Sequence, residues 1–246
     1  MTTIQIILLG DTYPLSIDKL KKLINKSAIF SIETELQIHN SELLSANVFK
    51  PLTDNEISHL SINDSLSTLS IVIVNRPLEA NYFSRPISER LIAVSIHDLE
   101  SLNMHEGITL EMYLSRFIYG FATIYKAFNN RLPTSLEMMQ SKLMQDGRGC
   151  LFDKCMYKPQ VALFFKQPKL SIEAIAVLRT KALPINFIET LNKEIKRLRI
   201  GKYYVIRDWS KSNPVTAIIL TFLIGFVFSE LLGNFVYDLI LKMFGK

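Results

Sequence analysis

The run from Pro214 to Tyr237 constrains this chain most, because it carries a single charged residue, Glu230. About twenty apolar residues suffice to cross a bilayer as one helix, and proline suits a first helical position. The sequence therefore predicts one crossing, with no return. Trp209, Tyr203 and Tyr204 stand where interfacial aromatics belong, and Tyr237 could serve the far side. Just before the run, Lys193, Lys196, Arg197, Arg199, Lys202, Arg207 and Lys211 face only Glu194 and Asp208. A basic cluster beside an apolar span keeps its side in the cytoplasm and attracts anionic headgroups. Arg199, Lys202, Arg207, Trp209 and Lys211 are thus the expected membrane-interface residues. The net charge of +5 is assigned to the lipid bilayer, and nucleic acid is not expected as a direct ligand. The expected location is the inner (cytoplasmic) membrane, single-pass, with the N-terminal domain cytoplasmic.

Two stripes run along this predicted helix. Gly225, Ser229 and Gly233 are four apart, and small residues at that spacing let a neighbouring helix approach closely, which predicts self-association. Glu230, Asn234 and Asp238, with Lys242 a turn beyond, form an adjacent polar stripe. A carboxyl near mid-membrane costs roughly 2.5–3.5 kcal/mol on insertion scales and usually faces a bundle interior or water. Two readings follow. Several copies turn this stripe inward as an ion path, or the span ends near Ser229 and the remainder lies in the interface with its charges among headgroups.

Upstream, the chain reads as an α/β soluble domain, residues 1–205, before a basic juxtamembrane segment and transmembrane helix, 206–246. The runs 4–9, 70–74 and 91–96 read as buried strands, each followed by polar or turn-forming residues. Ser16–Ile24 places Ile17, Leu20, Leu23 and Ile24 on one helical face. Thr109–Phe128 repeats apolar residues at helical spacing, with Thr109 as N-cap and Asn129-Asn130 as stop. Thr134–Met144 is predicted as a short helix, Val161–Phe165 as a strand and Pro184–Leu198 as an amphipathic helix. Alternation of this kind predicts a sheet covered by helices.

Motifs for chemistry are sparse. Asp146 to Cys155 (DGRGCLFDKC) joins two glycines, a Leu-Phe pair and two cysteines in a turn-rich stretch. It resembles a short R-G-C-L-F-D-x-C element of small bacterial α/β proteins in which a second cysteine pair follows. Lys169 to Thr180 holds no cysteine, so Cys150 and Cys155 cannot make a four-cysteine zinc site from this chain alone. Completion by histidine would need His39, His59, His97 or His105, and no metal or other cofactor is expected. His105-Glu106 invites comparison with a zincin helix, but Thr109 occupies the place of the second histidine. Gly10-Asp11-Thr12 reads as a strand-to-helix turn, not a phosphate loop. His97 and Asp98, ending the 91–96 strand, stand where α/β sheets place ligand-binding groups and form a possible ligand site. No nucleophile or paired-carboxylate pattern points to an enzyme.

The arrangement, a cytoplasmic domain followed by one polar-striped C-terminal helix, resembles the tail-anchored membrane effectors of bacterial anti-phage defence. That resemblance implies a protein that permeabilises or depolarises the membrane when a regulatory protein or small signal triggers or releases its domain. A tail-anchored enzyme or adaptor acting at the membrane surface is the alternative.

Overall fold

An apolar run buried on both faces needs helices on both sides, the situation that favours parallel pairing. Strands β1 (Thr2–Leu9), β2 (Phe30–Ile38), β3 (Thr68–Val74) and β5 (Leu91–Ser95) pair in parallel, and β4 (Ser84–Pro86) closes one edge antiparallel to β5. The order is β2-β1-β3-β5-β4. The structure, a computed structural model, describes residues 2–38, 50–59, 68–99, 107–144, 149–154 and 160–244, with side chains described at all of these except 33–38, 231 and 234–244. It forms two compact units, Met1–Ile200 and Gly201–Lys246.

In the first unit, alternate strand residues divide the core. Ile7, Leu9, Val72, Val74, Leu91 and Ala93 face Ile57 of helix α2 (Asp54–Ser58), together with Leu52 and Leu78. The intervening residues Ile4, Ile6, Ile71, Ile73, Ile92 and Val94 are equally buried on the opposite face. Helices α1 (Ile17–Ile24) and α3 (Leu110–Ala127) pack against one another, and α3 also contacts β1 and β3. Ser16 and Thr109 cap these two helices, each side chain accepting a backbone N–H three residues on. Asn129 and Asn130 both take left-handed φ angles immediately after α3, as short polar residues can. Helix α4 (Ser135–Ser141) begins with a capping box of Thr134 and Glu137. The fork of Arg131 on Glu137 holds that half-buried carboxyl well below the usual carboxylate range, at about 2.

One predicted element changes type. Val161–Phe165 is not a strand but the start of helix α5 (Val161–Lys166). Val161, Ala162, Phe164 and Phe165 are buried and Leu163 is half exposed, which is a helical face rather than a two-residue alternation. Helices α6 (Ile172–Arg179) and α7 (Phe187–Ile195) follow, the latter continuing into a 3-10 turn at Lys196–Leu198. The predicted helix 184–198 therefore docks by Phe187, Leu191, Glu194, Ile195 and Leu198, all buried.

Glu194 is no surface countercharge to the basic cluster. Its carboxylate is buried and accepts from Ser27 Oγ (2.8 Å) and the Ala28 N–H (2.7 Å). Tyr119 of α3 hydrogen-bonds to the same carboxylate; burial first, then the charge of Glu194, pushes its phenol above the ordinary value. Unfolded tyrosine titrates near 10.0. Between there and its higher folded value the unfolded chain gives up a proton that the folded chain keeps, so stability falls as pH rises. Tyr119→Phe is expected to remove this component, up to about 1.4 kcal/mol per pH unit above pH 10. Urea midpoints of both proteins between pH 9 and 11 check this, and parallel slopes would acquit Tyr119.

Candidate functional site

The parallel strands end together at Leu9, Val74 and Ser95, and the chain leaves them through Tyr13, Asn75 and His97. β2 lies on one side of β1 and β3 on the other, so the strand order reverses here. Open α/β sheets bind ligands in the crevice outside such a reversal. A cleft of about 470 Å³ opens at this edge, lined by Tyr13, Pro14, Asn75, Ile96, His97, Asp98 and Leu110. Asn75 Nδ2 donates to the Tyr13 carbonyl (3.3 Å), tying the β1 and β3 loops together.

The structure brings His97 and Asp98 into this cleft as a pair, Nε2 to Oδ2 at 3.3 Å. The Ser95 hydroxyl accepts the His97 N–H (3.2 Å) and donates to the Arg76 carbonyl (2.7 Å), so the turn is anchored to β3's exit. Asp98 adopts φ 58°, a left-handed conformation that aspartate tolerates better than most residues, and its side chain is 71% exposed. The lining offers one imidazole, one carboxylate, one amide and one phenol, groups able to orient a small polar ligand.

The cysteine-bearing stretch has a structural explanation. Gly149 has φ +63°, and a Cβ there would meet Leu163 Cβ at 2.9 Å, so α5 leaves room only for glycine. Asp153 Oδ2 accepts the Gly149 N–H (2.7 Å), while the Asp153 N–H donates to the Cys150 carbonyl (3.1 Å). Cys150 is a buried free thiol. Cys155 lies outside the described residues, as do His39, His105 and Glu106; Thr109 is the α3 cap. Among the described residues, no three His, Cys, Asp or Glu side chains cluster as metal ligands.

The second unit holds helix α8 (Lys202–Ser212) and helix α9 (Pro214–Phe244), separated at Asn213. Arg199 belongs to the first unit, exposed just before this boundary. On α8, Tyr203, Ile206 and Trp209 are exposed at three-residue spacing, and Lys202 and Lys211 are exposed near its ends. Arg207 is less available than its charge implies, being paired with Asp208 (3.0 Å) and stacked over Tyr204. Val215, Ile218, Ile219, Leu220, Phe222 and Leu223 are each at least 42% exposed, and the apolar exposure continues through Phe228 to Leu232.

On α9, Gly225 and Gly233 are open, and an added Cβ would meet nothing within 4 Å of either. The small face is longer than the predicted Gly225, Ser229 and Gly233, since Ala217 and Thr221 continue the four-residue spacing. A shallow groove follows Ala217, Thr221, Gly225 and Ser229. Thr221 donates to Ala217 O and Ser229 to Phe226 O, both at 2.8 Å, so these hydroxyls are satisfied within their own helix. Glu230 is exposed; the side chains of Asn234, Asp238 and Lys242 lie outside the described residues, although the backbone there is helical.

Among the described residues, no single helix is long and apolar enough to cross a membrane. The pair Lys202–Ser212 and Pro214–Glu230, bent by 119°, qualifies together by length and composition. Side chains are described without a break only as far as Glu230, whereas α9 has 31 residues of helical backbone, about 46 Å at 1.5 Å per residue.

No protein-family model and no curated protein matches the chain. Among solved structures, it is similar to the crystal structure of archaemetzincin from Methanopyrus kandleri, at 10% identity and a TM-score of 0.40, over 79% of this chain and 96% of that one. Similarity at that level carries no argument about fold or chemistry.

Proposed function

We propose that this chain is a membrane-attached effector. On this reading α9 enters the cytoplasmic membrane, copies associate along Ala217, Thr221, Gly225, Ser229 and Gly233, and the assembly lets ions pass. The α/β unit remains cytoplasmic and answers to a regulatory protein or a small signal. The observation that carries the reading is the all-round exposure of apolar side chains from Val215 to Leu232. A helix apolar on every face is at home in a protein core or in lipid, and an exposed patch of that extent marks an interaction surface. Self-association draws support from the open glycines and internally bonded hydroxyls of one face. Ion passage draws support from Glu230, whose carboxylate would be costly against lipid and is accommodated where helices enclose water.

A second reading has its own observation. The cleft at the strand ends, with His97 and Asp98, would serve a tail-anchored enzyme or adaptor that meets a small ligand at the membrane surface.

Membrane potential in bacteria separates the two. Expression of the full chain is expected to depolarise the cells, and Glu230→Ala/Asp238→Ala, still present in the membrane fraction, is expected to lose most of that effect. Depolarisation undiminished in the inserted double variant would remove the polar stripe from the mechanism. An unchanged potential with the full chain, in cells that also carry its native neighbouring genes, would favour the enzyme or adaptor.

A further inference from the structure

Sharing no residue with the strand-end cleft, a second cavity of about 330 Å³ lies between α3, α4 and the Gly149–Lys154 turn. Its walls are apolar: Phe117, Phe121, Ile124, Met138, Met139 and Leu151 contribute, with Tyr82 and Phe83 from the segment before β4. Along α3 the lining runs from Arg116 to Ile124, a rise of about 12 Å along the helix. Gly120 lies midway along this wall, with only Leu151 O, at 3.9 Å, near the space a Cβ would take.

Its chemistry is not uniform along that length. Arg116, 2% exposed, donates from Nη2 to the Asp153 carbonyl (2.7 Å) and lies over the rings of Phe117 and Phe164. Asp153 and Lys154 line the cavity beside it. Among the described residues, the charged lining comprises Arg116, Lys154 and Asp153, gathered where Arg116 bonds the turn, while α3 carries the lining on through Phe117 and Phe121 to Ile124. A guanidinium keeps its charge under all ordinary conditions and matches a carboxylate in planar geometry. An apolar pocket with a few convergent polar groups is the usual form of a small-molecule site.

We infer that this cavity binds a small amphiphilic carboxylate, its alkyl chain along Phe117, Phe121 and Ile124 and its head group at Arg116 and Lys154. Binding here does not require α9 to enter a bilayer, so this inference and the effector reading stand or fall separately. The turn that encloses the cysteine also gains a purpose: Gly149 and Asp153 fix the wall bearing Leu151 and Phe152.

Equilibrium dialysis of radiolabelled octanoate against a measured concentration of the full chain, with phosphatidylcholine nanodiscs present in the same chamber whether or not α9 enters them, tests the site, and empty discs measure partition into lipid. One saturable octanoate per chain is expected, with octan-1-ol binding about tenfold or more weakly for want of the charge-assisted contact. Met139→Trp, at the exposed rim, is expected to reduce octanoate binding by about tenfold or more while leaving the fold intact. Arg116→Met is expected to abolish the preference for the acid over the alcohol, with circular dichroism reporting whether that buried change is tolerated. Octanoate uptake no greater than that of empty discs overturns the inference. So does equal binding of acid and alcohol, or octanoate binding unchanged in a folded Met139→Trp.

Discussion

A chain ending at Asn213 is expected to leave the membrane fraction almost completely, while the full chain stays in the pellet through an alkaline carbonate wash. Ten Val, Ile, Leu and Phe side chains between Val215 and Phe228 are exposed. At about −0.3 to −0.6 kcal/mol each on the insertion scale, they favour the bilayer by roughly 3 to 6 kcal/mol. A carboxylate at mid-membrane would cancel about 2.5 to 3.5 kcal/mol of that. The balance runs from about zero to about 3.5 kcal/mol in favour of insertion, and it improves if Glu230 lies near a boundary or against another helix. Helix α8 remains in the shortened chain, and its exposed Tyr203, Ile206 and Trp209 should give only salt-sensitive surface binding. Fractionation with and without the carbonate wash separates the two modes. Equal recovery of both chains in the washed pellet would move the anchor out of α9, and with it the proposed self-association face.

Glu194→Ala should strongly destabilise the α/β unit. The carboxylate receives the Ser27 hydroxyl and the Ala28 N–H at 2.8 and 2.7 Å and bonds Tyr119. It thereby ties α7 to the turn before β2 and to the middle of α3. Alanine would take this acceptor from the buried Ser27 and Tyr119 hydroxyls and from the part-buried Ala28 N–H, at about 1–3 kcal/mol for each buried donor, so a loss on the order of 3 kcal/mol is expected. Glu194→Gln keeps the shape and one acceptor and should cost clearly less. Chemical denaturation of the three proteins measures this. A loss for Glu194→Ala no larger than the roughly 0.5 kcal/mol of an ordinary surface change would show that the network is not what holds α7.

Fold elements were legible wherever local pattern and burial coincide. The long buried helix α3, its Thr109 cap and its asparagine stop could be read directly, because an 18-residue element repeats its pattern over many turns. Strands β1, β3 and β5 were legible as continuous apolar runs. Strand β2 was missed because its sequence, FSIETELQI, interleaves polar residues, as suits an edge position in β2-β1-β3-β5-β4. Val161–Phe165 was misassigned because a five-residue apolar run has the same composition in either conformation; only burial of residues one, two, four and five decides for helix. Of the candidate groups, His97 and Asp98 were placed at a strand end by sequence. Their partners in the cleft, Tyr13 and Asn75 from two other loops and Leu110 from the start of α3, are connected by no local pattern.

What the sequence determined by itself was the α/β alternation, the principal helix caps and the apolar C-terminal helix, since each depends on residues within a few turns of one another. Tertiary structure alone decided that Glu194 is a buried acceptor while Lys193, Lys196 and Arg197 around it stay exposed, because only the packing of α7 takes that one carboxylate out of water. It also decided that Gly149 and Asp153 shape a turn against α5, and that Arg116 and Lys154 share a cavity with residues of α4 and of the segment before β4. Those relations are set by which surfaces meet when the chain closes on itself, and spacing along the chain does not encode them.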